Sequence, residues 1–141
     1  MKPTVLSLPI GTPDDAAGYF GRELAFEVDP VDLAQDLAHG RTDGYLLVET
    51  RSPGAYTEAH LPGAICLPYR EITAESTRGF DRDLVYVCYC ESIYCNAATQ
   101  GAYRLAQLGF TVKRLSGGIT TWLAHGYPAE TGAPAVVPWT P

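Results

Sequence analysis

The sequence predicts one α/β domain: a central, mainly parallel sheet flanked by helices on both faces. Three observations carry that expectation. Short apolar runs, "YLLVET" (45–50), "AICLP" (64–68), "LVYVCY" (84–89) and a weaker "VKRL" (112–115), read as buried strands. A segment of helical periodicity separates the last two by short joints, the pattern of strands linked by a crossover helix. The length, 141 residues, supports one real core and is too short for two ordinary domains.

Taken in order, "PDDAAGYFGRELAFE" (13–27) opens with Pro and acids, then places Ala17, Phe20 and Leu24 at helical spacing. This predicts a helix packed on the main body, within an N-terminal helical extension over residues 1–28. "DPVDLAQDLAHG" (29–40) is a second helix, with Asp29 as N-cap, Pro30 at the first position and Gly40 as terminator. Strands at 45–50, 64–68 and 84–89 follow. In "NAATQGAYRLAQLGF", Ala98, Ala102 and Leu105 share one helical face and Gly109 ends the helix. "GGITTWLAHGYP" (117–128) is a last helix stopped by Gly126 and Pro128, closing the main domain at residue 128. The Pro-rich tail, 129–141, reads as extended, with Trp139 as an anchor on the body or on a partner.

Composition narrows the function. A formal charge of −6, with no cluster of Lys or Arg, argues against a nucleic-acid partner. No segment has the length and apolarity of a bilayer span, and Pro9 breaks the short apolar run near the start, so a secretory signal and a membrane role are not expected. Four irregularly spaced cysteines do not resemble a disulfide framework, which makes the cytoplasm the default compartment.

Three of those cysteines, Cys88, Cys90 and Cys95, fall at the seam between the strand "LVYVCY" and the next helix. Chemistry in open parallel sheets collects beyond the carboxyl ends of strands, where helix N-termini also point. A thiol at Cys90 would face unpaired N–H groups and the positive end of a helix dipole, which favour thiolate. The alternative is an inert cysteine buried at a strand end. A zinc site built from Cys88, Cys90, Cys95 and His60 is a poorer fit, because Cys88 lies inside a strand and the spacing is not that of paired C-x2-C turns. No metal or organic cofactor is expected.

These segments resemble the rhodanese-homology domains. "LLVETRSPGAYTEAHLPGAICLP" (46–68) is similar to that family's strand, acidic residue, Arg, helix and His-x-Pro-Gly-Ala sequence. "LVYVCYC" with "ATQGAYRLAQLGF" is similar to its active-site strand and helix, and "LSGGITTWLAHGYP" (115–128) to its closing segment. The resemblance covers roughly 27–128. "RELAFEVDPVDL" and "CESIYCNAAT" look closest to a bacterial single-domain subgroup with a Cys-x4-Cys-Asn loop. It implies a rhodanese-like three-layer fold and a sulfurtransferase, in which the cysteine mapping onto Cys90 accepts sulfane sulfur as a persulfide and passes it to a thiophilic acceptor. The loop Glu91, Ser92, Ile93, Tyr94, Cys95 and Asn96 would then supply the N–H groups around that sulfur.

The loop also departs from its relatives. It has no Arg, Lys or Gly, so a phosphatase-like anion clamp is not expected, and Glu91 beside the nucleophile should raise its pKa and repel dianions. A persulfide delivered by a protein or a small thiol suits it better than thiosulfate. Cys95 is a candidate resolving cysteine, the plainer reading being a small residue that fills space. Arg51 and Arg70, after strand ends, are candidates for contacting an anionic donor; for Arg51 an ion pair with a neighbouring loop is the simpler role. Cys66, Cys88 and Trp122 read as packing, His60 as a turn residue, Gly117 and Gly118 as a close approach of loop and helix, and Tyr94 as either pocket mouth or exposed surface. Two rival functions remain at this level: a non-catalytic partner-binding module, and a thiol redox switch using Cys90 and Cys95.

Overall fold

The structure, a computed structural model, describes residues 1–134. The tail expectation, with Trp139 as anchor, lies largely outside those residues.

Five parallel strands form one sheet: β1 (Glu27–Val28), β2 (Tyr45–Glu49), β3 (Ile65–Cys66), β4 (Val85–Tyr89) and β5 (Thr111–Leu115). Their spatial order is β1-β5-β4-β2-β3, so β4 lies at the centre. Registers such as Val48 opposite Cys88 and Val87 opposite Lys113 fix the neighbours of β4 on both sides. The helices are α1 (Pro13–Phe26), α2 (Pro30–Ala38), α3 (Pro53–Glu58), α4 (Ala97–Gln107) and α5 (Gly118–Ala124).

Alternation along the strands divides the core into two layers. Val48, Tyr86, Cys88 and Cys90 face α4, where they pack with Ala98, Leu105, Phe80 and Phe110. Leu47, Val87 and Tyr89 face the other way, onto Leu33 of α2, Tyr56 of α3 and Ile119 and Trp122 of α5. Trp122 is fully buried, and its indole N–H donates to Pro128 O at 2.7 Å. The three-layer α/β architecture follows directly: strands apolar on both faces need cover on both.

Local chemistry explains the element ends. Thr12 accepts from Asp15 N to cap α1, Asp29 from Val31 N to cap α2, and Ser52 from Ala55 N to cap α3, each with Pro just inside the helix. The short strand β1 was not expected from sequence, where Glu27 belonged to the first helix. At two residues it has no periodicity of its own and exists because Val28 O accepts from Ser116 N and Glu27 pairs with Arg114 of β5.

The first helix differs from expectation in its packing. It forms, but none of its residues is buried: Phe20 is 57% and Leu24 80% exposed. Its link to the body includes Lys113 Nζ donating to Leu24 O at 3.2 Å. Among the described residues no helix is long and apolar enough to cross a membrane.

Candidate active site

Cys90 follows β4 directly, and its residue is 3% exposed. It forms the floor of a cleft of about 350 Å³ whose walls include Ser92, Ile93, Cys95, Ala98 and the turn Ser116–Gly118. The cleft is shaped by an approach of backbone to backbone. Ile119 N donates to Cys90 O and Thr120 N to Glu91 O, both at 2.9 Å, so the start of α5 caps the two carbonyls that lead into the loop. A Cβ on Gly118 would stand 2.6 Å from Cys90 O, and its φ of +67° is one that side chains rarely adopt. Gly118 is therefore the close approach that the sequence suggested, whereas a Cβ on Gly117, φ +80°, would meet the Thr121 side chain.

The two loop thiols have opposite tendencies. Burial pushes the Cys90 thiol above the ordinary range; the Ala98 N–H works against this, and the neighbouring Cys95 adds to it. The Cys90 Sγ lies 3.2 Å from Cys95 O, within reach of a thiol hydrogen bond. Cys95 is also pushed up by burial. Hydrogen bonds from Ala97 N–H, the Cys90 thiol and Glu91 N–H outweigh that push, and Cys95 ends below the ordinary thiol range. The helix-start amides are thus shared between the sulfurs, and Cys95 holds the charge more easily. Burial thus works against the expectation that the helix start leaves Cys90 the ionised thiol, while the Ala98 N–H works for it.

The loop acid is held to one side. Glu91 accepts from Arg51 Nη1 at 2.6 Å, while Arg51 Nη2 binds Glu49 at 2.5 Å and Ala59 O at 2.7 Å. Both Nη groups of Arg51 are therefore spent on protein, and it serves as a strut between the end of β2 and the active loop rather than as an open anion site. Glu49 is fully buried; burial raises its pKa, with Arg51 and the Tyr89 hydroxyl at 3.0 Å partly offsetting it. Arg70 is not a wall of the cleft. Its Nε donates to the Tyr69 hydroxyl at 2.9 Å and its guanidinium lies 5.5 Å from that ring's centre.

The cation that does line the cleft, Arg114, was missed, as were Glu23, Glu27 and Ser116. Arg114 is ion-paired with Glu27 and donates to Thr99 Oγ1 at 2.6 Å, while Ser116 Oγ donates to Glu27 at 3.2 Å. The only sequence signal would have been β1 itself, since the pair bridges adjacent strands whose residues are far apart in the chain. A larger groove of about 880 Å³ between α1 and α2 shares Glu23, Glu27 and Ser116 with the Cys90 cleft.

The remaining candidates sit apart from the chemistry. Cys88 is fully buried, its thiol pushed up to about 12 by desolvation, and Cys66 is pushed up to about 11 chiefly by the same cause. Tyr94 is 93% exposed and Asn96 precedes α4 without making a side-chain cap. His60 is buried, stacked on Tyr56 at 3.7 Å, with Nδ1 donating to Tyr56 O at 2.8 Å, and its backbone bridges to Glu130. Among the described residues, no group of three or more His, Cys, Asp or Glu is arranged to hold a metal ion.

A parallel α/β sheet with a thiol at the end of its central strand, under the starts of two helices, defines the class. The rhodanese-like domain family model matches residues 29–125, and the chain belongs to that family. A sulfurtransferase of Allochromatium vinosum is 34% identical over 107 residues, 72% of this chain and 92% of that one. The HTH-type transcriptional regulator Rv0324 of Mycobacterium tuberculosis is 35% identical over 109 residues; they make up 75% of this chain but 46% of the regulator. The crystal structure of the BH2092 protein from Bacillus halodurans superposes with a TM-score of 0.81 at 34% identity, covering 92% of this chain and 93% of the other.

Proposed function

We propose that the domain is a sulfurtransferase that carries sulfane sulfur on Cys90. In the first half-reaction the Cys90 thiolate attacks the outer sulfur of a donor, forming a Cys90 persulfide and releasing the donor's remaining thiolate or sulfite. In the second, an acceptor nucleophile takes that outer sulfur and Cys90 leaves as thiolate. The carrying observation is placement: the sulfur sits on the floor of a cleft, with Ala98 N–H of the helix start aimed at it.

The charge pattern favours a persulfide brought by a small thiol or a protein over free thiosulfate. Arg114, the cation lining the cleft, is already neutralised by Glu27, and Arg51 by Glu49 and Glu91. A free dianion would enter without a bidentate partner.

Intact mass after exposure to a polysulfide tests the reading. One added sulfur, about 32 Da, lost on reduction and absent in Cys90→Ser, is the expected outcome. An unmodified chain, or an equal adduct in Cys90→Ser, overturns it and favours a partner-binding module.

A further inference from the structure

We infer that Cys95 resolves the Cys90 persulfide, so that the domain also reduces sulfane sulfur to sulfide at the expense of an external dithiol. The inference rests on the sulfurtransferase reading and adds a second outlet for the bound sulfur. Three features of the loop carry it. Cys90 and Cys95 line the same cleft, five residues apart, with the Cys90 sulfur 3.2 Å from the Cys95 carbonyl. Each thiol also shifts the other's pKa, Cys95 raising that of Cys90 and Cys90 lowering that of Cys95. Cys95 is less buried than Cys90, at the start of α4, and amides of Ala97 and Glu91 stabilise its charge.

A resolving thiol has to be ionised, adjacent and free to reach the inner sulfur of the persulfide. Cys95 shares the cleft with Cys90 and its pKa is lowered, whereas the other two cysteines line no part of that cleft and are raised. Cys88 is fully buried and strongly protonated, and Cys66 is likewise held protonated and belongs to the opposite core layer. Both are also outside the cleft. The chain ESIY between the reacting cysteines includes Ile93 and Tyr94, 72% and 93% exposed, so the backbone there is not pinned by burial of its own side chains.

The Cys95 thiolate attacks Cys90 Sγ of the persulfide; a Cys90–Cys95 disulfide forms, the bond to the outer sulfur breaks, and that sulfur departs with the electron pair and the persulfide proton as hydrosulfide. The sulfane sulfur is reduced and the two cysteines are oxidised. An external dithiol returns them to thiols by disulfide exchange and is itself oxidised.

The test loads wild-type and Cys95→Ser protein with sulfur from a low-molecular-weight polysulfide, removes excess reagent on a sizing column, and follows intact mass and free sulfide with no added thiol. Wild type should pass from one extra sulfur to a form two protons lighter than the reduced chain, releasing about one sulfide per chain. Cys95→Ser should keep its extra sulfur for a time longer on the order of tenfold. Equal persulfide lifetimes in the two proteins, or migration of the sulfur with no disulfide, would overturn the inference and leave sulfur transfer standing. Absence of any adduct in both proteins would bring down the transfer reading and this one together. Cys95→Ala, with the fold checked by circular dichroism, should behave as Cys95→Ser does.

Discussion

Replacing Arg51 by Met separates the strut from the chemistry. The wild-type pair puts a fully buried Glu49 against an Arg51 side chain that is 11% exposed, while the second partner, Glu91, is 58% exposed. The exposed pair is worth about 0–1 kcal/mol. The buried one cannot be broken so cheaply, because Glu49 would be left charged without a cation, and removing one partner of such a pair costs about 3–5 kcal/mol. Glu49 Oε2 already lacks a hydrogen-bond partner, and the Tyr89 hydroxyl would remain as the chief support of the other oxygen. The loss should depend on pH. Burial already raises the folded pKa of Glu49, and without Arg51 it rises further. A carboxyl raised in this way binds more protons folded than unfolded, so its contribution is fully present below the unfolded value, about 4.3, and is lost as pH rises through the folded value. Urea denaturation of Arg51→Met should therefore show the full penalty at pH 8 and a smaller one in mild acid. Arg51→Met with Glu49→Gln should recover most of it, since a neutral amide has no charge to strand. A penalty below about 1 kcal/mol at pH 8, or one that does not change with pH, would refute the reasoning.

Other consequences can be measured more simply. Iodoacetamide labelling mapped by mass should modify Cys95 first, with a rate that titrates below an ordinary thiol; Cys90 should follow at higher pH, and Cys88 and Cys66 only on unfolding. If Cys90 labels first at neutral pH, the assignment of charge between the two sulfurs is wrong. Gly118→Ala should destabilise by about 1–3 kcal/mol and abolish sulfur loading, because its Cβ would meet Cys90 O at 2.6 Å; chemical denaturation with mass analysis checks both. Glu27→Gln should release Arg114 into the cleft and lower the KM for thiosulfate by several-fold, roughly what one partly exposed charge supplies. An unchanged KM would mean that Arg114 does not face the donor.

Much of the sheet was legible because its strands are apolar at successive positions, and the caps at Asp29, Pro30 and Gly40 marked α2 almost to the residue. The place of Cys90 at the end of a central strand came from the same pattern. Four things were not legible, each for a physical reason. Strand β1 has two residues, below any period, and is defined by hydrogen bonds to β5. The apolar side chains of α1 predict burial, yet no complementary face covers them, and periodicity alone reports that a stripe exists rather than what it meets. The acidity of Cys90 depends on a competition between desolvation and helix-start amides, and sequence position supplies the amides but not the depth. The pairing of Glu91 with Arg51 was open in the sequence only as a strand-end ion pair with an unnamed loop, because forty residues separate the partners.

The arrangement of charges around the cleft bears on what kind of anion the site can stabilise. Its positive potential comes from backbone N–H groups of Glu91, Ala97 and Ala98, which are fixed, short-ranged and directed at two sulfur atoms. The nearby guanidinium groups of Arg51 and Arg114 are held in ion pairs and in hydrogen bonds to other protein atoms. Backbone donors of this kind favour charge that develops on a sulfur already bonded to the chain, and add little for an ion still in solution, whose desolvation they would have to offset. Because the two thiols also interact with each other, negative charge on one sulfur disfavours charge on the other.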